Sequence, residues 1–185
     1  MNRSYALSLQ QQRGAVLLVS LMILLIMTVL GIAGMSSTTM EEKMAANNQQ
    51  RQQAYQAAET ALRDAEAWLT NNVTAIGDLA NFSGANGLYS LQETASGAAV
   101  NPPTFNLYDN SAWQSNGVAS LSLLDNQDTP RYIIEYMGPT EDPAGLNPND
   151  PVPVVMYAFR ITAIGWSVDG TSRYLAWSHY TRRLN

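Results

Sequence analysis

Residues 11–35 read QQRGAVLLVSLMILLIMTVLGIAGM, and the reading of this stretch decides the fold. No side chain from Ala15 to Met40 carries a charge, and residues 15–35 are nearly all apolar. As a helix, 15–35 spans about 31 Å at ~1.5 Å per residue, the thickness of one bilayer core. A secretory h-region runs only ~7–15 residues. This run is longer, and its nearest small-residue cleavage candidate, Gly31-Ile32-Ala33-Gly34, stands at its far end. Arg3 and Arg13 lie before the run, Glu41 and Glu42 after it. The positive-inside rule then expects a cytoplasmic N-terminus and residues 41 onward outside the cytoplasm.

A plain single-pass anchor would meet these facts. Three features ask for more. The leader is short and polar and ends in Arg13-Gly14; the apolar run starts at once with Ala15; and helical patterning continues beyond the membrane. In TTMEEKMAANNQQRQQAYQAAETALRDAEAWL, Met40, Met44, Arg51, Tyr55, Ala58, Leu62, Ala65 and Leu69 recur at helical spacing. The remainder is mostly Gln, Glu and Ala, good helix formers, and Glu59 and Arg63 sit at i, i+4 in the favourable order. The stripe is narrow and alanine-rich, so something must lie close against it; a coiled-coil seam is the alternative, though a short and polar one. One long helix is expected, with a soft spot at Gly31, Gly34 and Ser36–Thr39. The competing reading starts a second helix at a capping box, Thr38-x-x-Glu41 or Thr39-x-x-Glu42.

The rest of the chain narrows the chemistry. A formal net charge of −5 and no basic cluster beyond Arg182-Arg183 disfavour nucleic-acid binding. With no cysteine there is no disulfide, thiol nucleophile or thiolate metal site. The one histidine, His179, falls in a strand-like stretch and reads as a sheet-face residue.

Asn71-Asn72 and Gly77 should stop the helix. Residues 77–130 are rich in Gly, Ala, Ser and Asn, with a short helix expected in SAWQSNGVASLSLL. Strands are legible in RYIIEYM (131–137), VVMYAFRITAIGWSV (154–168) and TSRYLAWSHYTRR (171–183). Asp169-Gly170 between the last two predicts a hairpin with a two-residue type I′ turn. That turn pairs Trp166 with Arg173, Ile164 with Leu175 and Thr162 with Trp177, and places Gly165 opposite Tyr174; the first pair suggests a cation–π contact. The sheet needs a helix over one face and the helical stripe needs a cover, so the two should pack together. The loop MGPTEDPAGLNPNDPVP (137–153) reads as a solvated excursion. Asp142, Asn147 and Asp150, beside Glu141 and Asn149, are weak candidate Ca²⁺ ligands, their spacing not that of an EF-hand; no cofactor is expected otherwise.

QRGAVLLVSLMILLIMTVLGIAGM and MEEKMAANNQQRQQAYQAAETALRDAE, with the β-rich tail, resemble the PilX family of type IV minor pilins, in detail from Gln12 to about Trp68 and loosely after that. The resemblance implies an α+β, type IV pilin-like fold: a long N-terminal helix, hydrophobic then amphipathic, packed on a C-terminal antiparallel β-sheet head. It implies a cleaved leader over 1–14, a membrane and filament-core helix over 15–40, an amphipathic continuation over 41–72 and a head over 73–185. Prepilin peptidase would cut between Gly14 and Ala15 and methylate the new amino group of Ala15. A glycine at such a site leaves the backbone open to the protease.

Pilins of this kind usually carry a glutamate at the fifth mature position. Here that position is Val19, and no carboxylate precedes Glu41. A carboxylate among apolar helices survives only with a partner, so a subunit without one saves that penalty and gives up a docking contact. This favours a place at or near the filament tip, the other reading being a lipid-facing valine in a subunit that docks by packing alone. Gly31 and Gly34 could serve local stretching of the helix or close helix packing.

The partners implied are other minor pilins, the major pilin, the inner-membrane assembly platform, prepilin peptidase and a tip adhesin. The place implied is the bacterial inner membrane, head periplasmic, and then the pilus. The function implied is non-enzymatic priming of pilus assembly. A type II secretion pseudopilin shares the same export logic and stands as one alternative. A membrane-anchored periplasmic enzyme is another, which the single histidine, absent cysteine and lack of nucleophile spacing oppose.

Overall fold

The computed structural model describes residues 12–120, 128–141 and 155–185. The candidate ion ligands Asp142, Asn147 and Asp150 lie outside the described residues. The chain divides after Ala46 into two units.

Helix α1 runs Gln12–Asn72 without a break. Neither capping box starts a new helix: the Thr38 hydroxyl instead donates back to Gly34 O at 3.2 Å, within the helix. The first unit holds the apolar half of α1.

In the second unit α1 is followed by a 3-10 turn, Ile76–Asn81, then β1 (Leu88–Ser90), α2 (Asn110–Asn116), β2 (Val118–Ala119), β3 (Arg131–Glu141), β4 (Val155–Trp166) and β5 (Arg173–Arg182). The sheet order is β1-β3-β4-β5, with β2 also on β3; β1 is parallel to β3 and the other pairings are antiparallel. The three long strands are those legible as β-branched and aromatic runs, and α2 forms where a short helix was expected. β1 and β2 are too short to announce themselves.

One sheet face packs on α1. Tyr132, Ile134, Tyr136, Phe159, Ile161, Ala163 and Ala176 share a core with Ala58, Ala61, Leu62, Ala65 and Leu69. The other face carries Ile133, Ile164 and Trp166 beneath Tyr89 and Trp113, with Phe105 and Leu107 alongside. Alternation along β3 and β4 supplies both cores.

The expected stripe of α1 is buried in part: Ala58, Leu62, Ala65 and Leu69 belong to the core, and its earlier members do not. Ala54, Ala57, Ala58, Ala61, Leu62, Ala65 and Leu69 are buried, whereas Tyr55 and Arg51 are exposed. Met40 and Met44 are exposed as well. The sheet seeks the alanine face because there the two backbones approach closest: a Cβ built on Gly165 of β4 would stand 2.3 Å from Ala58 N and 2.4 Å from Ala54 O. Of the expected stripe, Leu62 and Leu69 share the core with these alanines, while Arg51 and Tyr55 stay outside it.

The hairpin register is the one Asp169-Gly170 implies, with Trp166 opposite Arg173, Ile164 opposite Leu175, Thr162 opposite Trp177 and Gly165 opposite Tyr174. The turn itself differs. Gly170 has φ +71° but Asp169 is not in the positive-φ region, so no type I′ turn forms. Gly170 N–H donates to Ser167 O and Ser167 N–H to Ser172 O, both at 2.9 Å, closing a wider loop. The Asp169 carboxylate accepts from Ser167 Oγ at 2.6 Å, Thr171 Oγ1 at 2.8 Å and Thr171 N at 3.1 Å. These bonds hold the aspartate inside its own turn. Two-residue and four-residue loops pair the same residues, which is why the register survives. A turn with positive φ at both central residues occurs instead at Ala85–Leu88, with Asn86 at +53° and Gly87 at +72°.

Candidate functional site

Within the first unit, residues 14–35 form a helix with an apolar surface on all sides. Val16, Leu17, Leu18, Leu21, Met22 and Ile23 are all more than half exposed, and the same holds for the large apolar residues on to Met35. No soluble surface sustains a patch of this extent; lipid or other chains must cover it. Its few polar groups are satisfied within the helix: Ser20 Oγ donates to Val16 O at 2.8 Å, and Thr28 Oγ1 to Leu25 O at 2.7 Å and Leu24 O at 2.9 Å. A helix that answers its own backbone and hydroxyl groups is what a bilayer or a packed filament core accepts. It is long and apolar enough to cross a membrane once.

Within it the expected site residues fall as follows. Gly14 and Ala15 are helical and exposed. Val19 is 53 % exposed, level with its apolar neighbours. A Cβ at Gly14, Gly31 or Gly34 would meet nothing within 4 Å. Gly31 and Gly34 thus leave shallow places on the helix where another backbone could approach.

The second unit holds α1 to the sheet with polar contacts that sequence reading did not find. Gln50 Nε2 donates to Asp169 Oδ2 at 2.7 Å, and Thr171 Oγ1 donates to Gln50 Oε1 at 3.1 Å. Arg182 Nη1 donates to Thr70 O at 2.6 Å and to Leu69 O at 2.8 Å, the latter a carbonyl that also accepts Val73 N–H. Tyr55 meets Tyr174 edge to face at 5.1 Å between ring centres. Arg173, opposite Trp166, donates to Tyr108 O at 2.7 Å and Asn110 Oδ1 at 2.8 Å. None of these pairs is adjacent in sequence, so spacing carries no signal of them.

Three carboxyls are held below the ordinary aspartate range by hydrogen bonds: Asp169 first by the Ser167 hydroxyl, Asp109 first by Ser111, and Asp78 first by the Ala75 N–H. Glu135 is buried on β3 and takes a two-pronged bond from Arg160 across the strand pair, Nε to Oε2 at 2.7 Å and Nη2 to Oε1 at 2.6 Å. That pairing gives the buried carboxylate a structural role. His179 is exposed on β5, opposite Arg160. Among the described residues there is no cluster of His, Asp and Glu that could hold a metal.

What the first unit can do is pack, helix against helix; the second unit is a sheet-built head. The family model PilX N-terminal matches residues 13–63, and that of Type IV pilus assembly protein PilX C-term matches residues 43–182. Comparison with the curated proteins and with the solved structures gives no match. With matched residues running from the edge of the apolar helix to the end of β5, the chain belongs to the PilX family of type IV pilus assembly proteins and is a minor pilin.

Proposed function

We propose that this minor pilin primes pilus assembly from a position at or near the filament tip, without enzymatic activity. The observation that carries the reading is the uncharged, exposed helix from Ala15 to Met40 with Val19, not a carboxylate, at its fifth position. Leader residues 1–14 leave by cleavage between Gly14 and Ala15, and Ala15 becomes the methylated amino terminus. Residues 15–40 then pack beside the equivalent helices of other minor pilins and of the major pilin, first in the inner membrane with the head in the periplasm and then in the filament. Gly31 and Gly34 give that packing its closest approach. Without a carboxylate at position 19 the subunit has nothing to offer the free amine of a neighbour, so it serves as a first subunit and recruits the assembly platform and a tip adhesin rather than filling the shaft.

Immunogold labelling of sheared filaments tests the position. Label is expected at one end of wild-type filaments, and Val19→Glu is expected to spread it along the shaft; even label along wild-type shafts would overturn the tip placement. Mass spectrometry of the mature protein is expected to find a methylated Ala15 start, and an intact leader would overturn the processing.

A further inference from the structure

We propose that a cleft beside Trp68 in the head binds a neutral saccharide. The cleft, about 550 Å³, lies among Trp68 and Asn72 of α1, Asn81 of the 3-10 turn, Ser83, Asn86 and Leu88. Small-molecule sites commonly fall at ~300–1,000 Å³, so there is room for one or two pyranose rings.

The lining chemistry selects the ligand class. No residue that lines the cleft is charged. This disfavours phosphate and carboxylate ligands, which need cationic partners. The polar lining consists of side-chain amides and a hydroxyl, and these both donate and accept, as sugar hydroxyls do. The side chains of Asn81, Ser83 and Asn86 make no hydrogen bond among the described residues. Asn72 Nδ2 donates to Trp68 O at 2.9 Å, which leaves its oxygen as an acceptor. The indole of Trp68 supplies an apolar plane on which the C–H face of a pyranose can lie, and it is packed on the main core.

The rim is also built in advance. Asn86 is held at φ +53° by the turn in which Leu88 N–H donates to Ala85 O at 3.0 Å. Ser83 O accepts from Asn101 Nδ2 at 2.6 Å, and Gly84 N–H donates to Leu88 O at 2.9 Å. A rim already ordered loses little freedom on binding. A peptide is disfavoured, because Asn101 already pairs with Ser90 on the free side of β1, at 3.0 Å and 2.8 Å, where an added strand would go.

The test uses the full chain in a zwitterionic detergent with no sugar headgroup, applied to an array of neutral, sialylated and sulfated glycans that includes host-type and bacterial polysaccharide fragments. Retention of neutral glycans is expected, and the two neutral sets decide whether the source is a host surface or a bacterial one. Asn81→Ala and Asn86→Gly are each expected to weaken binding about tenfold or more; glycine keeps the left-handed backbone at 86. A measurement on the unaltered chain guards against misfolded variants. Of its four tryptophan indole N–H signals, the one assigned to Trp68 through Trp68→Phe should shift as saccharide is added. Retention of acidic glycans alone, capture of peptides in place of sugars, binding unchanged in the two asparagine variants, or a shift at another indole in place of Trp68 would each overturn the proposal.

Discussion

Gly165 in β4 stands where a Cβ would meet the backbone nitrogen of Ala58 in α1 at 2.3 Å. The sheet thus touches the helix backbone itself, which cannot move aside as a side chain can. Gly165→Ala is expected to lower head stability by about 1–3 kcal/mol through overpacking, a fall in Tm of some ~2–12 °C for a chain of this size. Thermal unfolding of the full chain in detergent, followed by near-UV circular dichroism, checks it. Gly77→Ala is the control: its Cβ would meet nothing within 4 Å, and Tm should barely move.

The Glu135–Arg160 pair should behave as a unit. Removing the cation alone leaves a carboxylate that is 2 % exposed without its partner. Arg160→Met is expected to destabilise by about 2 kcal/mol, below the ~3–5 for a fully buried pair because Arg160 keeps 38 % of its side chain in solvent. Glu135→Met with Arg160→Met should lose less than Arg160→Met alone. Equal losses in a denaturant-unfolding double-mutant cycle would show that the carboxylate is not the source of the penalty.

Arg182 ties β5 to the end of α1 through the carbonyls of Leu69 and Thr70. Arg182→Met should keep the stem and lose the donors, at about 1.5–3 kcal/mol for bonds from a charged group. Amide exchange in the last turn of α1 should then quicken before exchange in β3 and β4 does.

Acid should weaken the head in a defined window. The carboxyls of Asp169, Asp109 and Asp78 sit below their ordinary range in the folded chain. A depressed folded value means that their stabilisation is complete above the unfolded aspartate value of ~3.9. It fades as pH falls from there and is gone below the folded values. Tm measured from pH 7 downward should therefore hold until about pH 5 and then drop. Asp169→Asn should flatten that drop, and a drop of the same depth in the variant would count against Asp169 as a contributor.

Much of the architecture could be read from local pattern because local physics determines it. An uncharged run of bilayer length, a helical period and β-branched runs each report on their own backbone. The register of β4 and β5 was legible too, although its reason was only half right: Asp169 keeps its carboxylate for Ser167 and Thr171, and the turn widens by one residue on each side. The helix face was legible from Ala58 to Leu69 but not before it, because Arg51 and Tyr55 share the helical period with Leu62 and periodicity alone cannot tell which members of a stripe a sheet will cover. The cleft at Trp68 had no signal at all, since Trp68, Asn81 and Asn86 meet only after the chain has turned at Gly77 and Gly84.

By itself, then, the order of residues determined that one end of this chain is a greasy helix with no internal acid, that the other end is a sheet, and that its last two strands are neighbours in register. These follow from short-range preferences and from where charge is absent. Only the tertiary structure decided that alanine, not tyrosine or methionine, lies under β4, that Glu135 is answered by Arg160, and that amides gather round an indole. Those outcomes depend on how closely two backbones can approach, a distance set by packing between residues far apart in sequence.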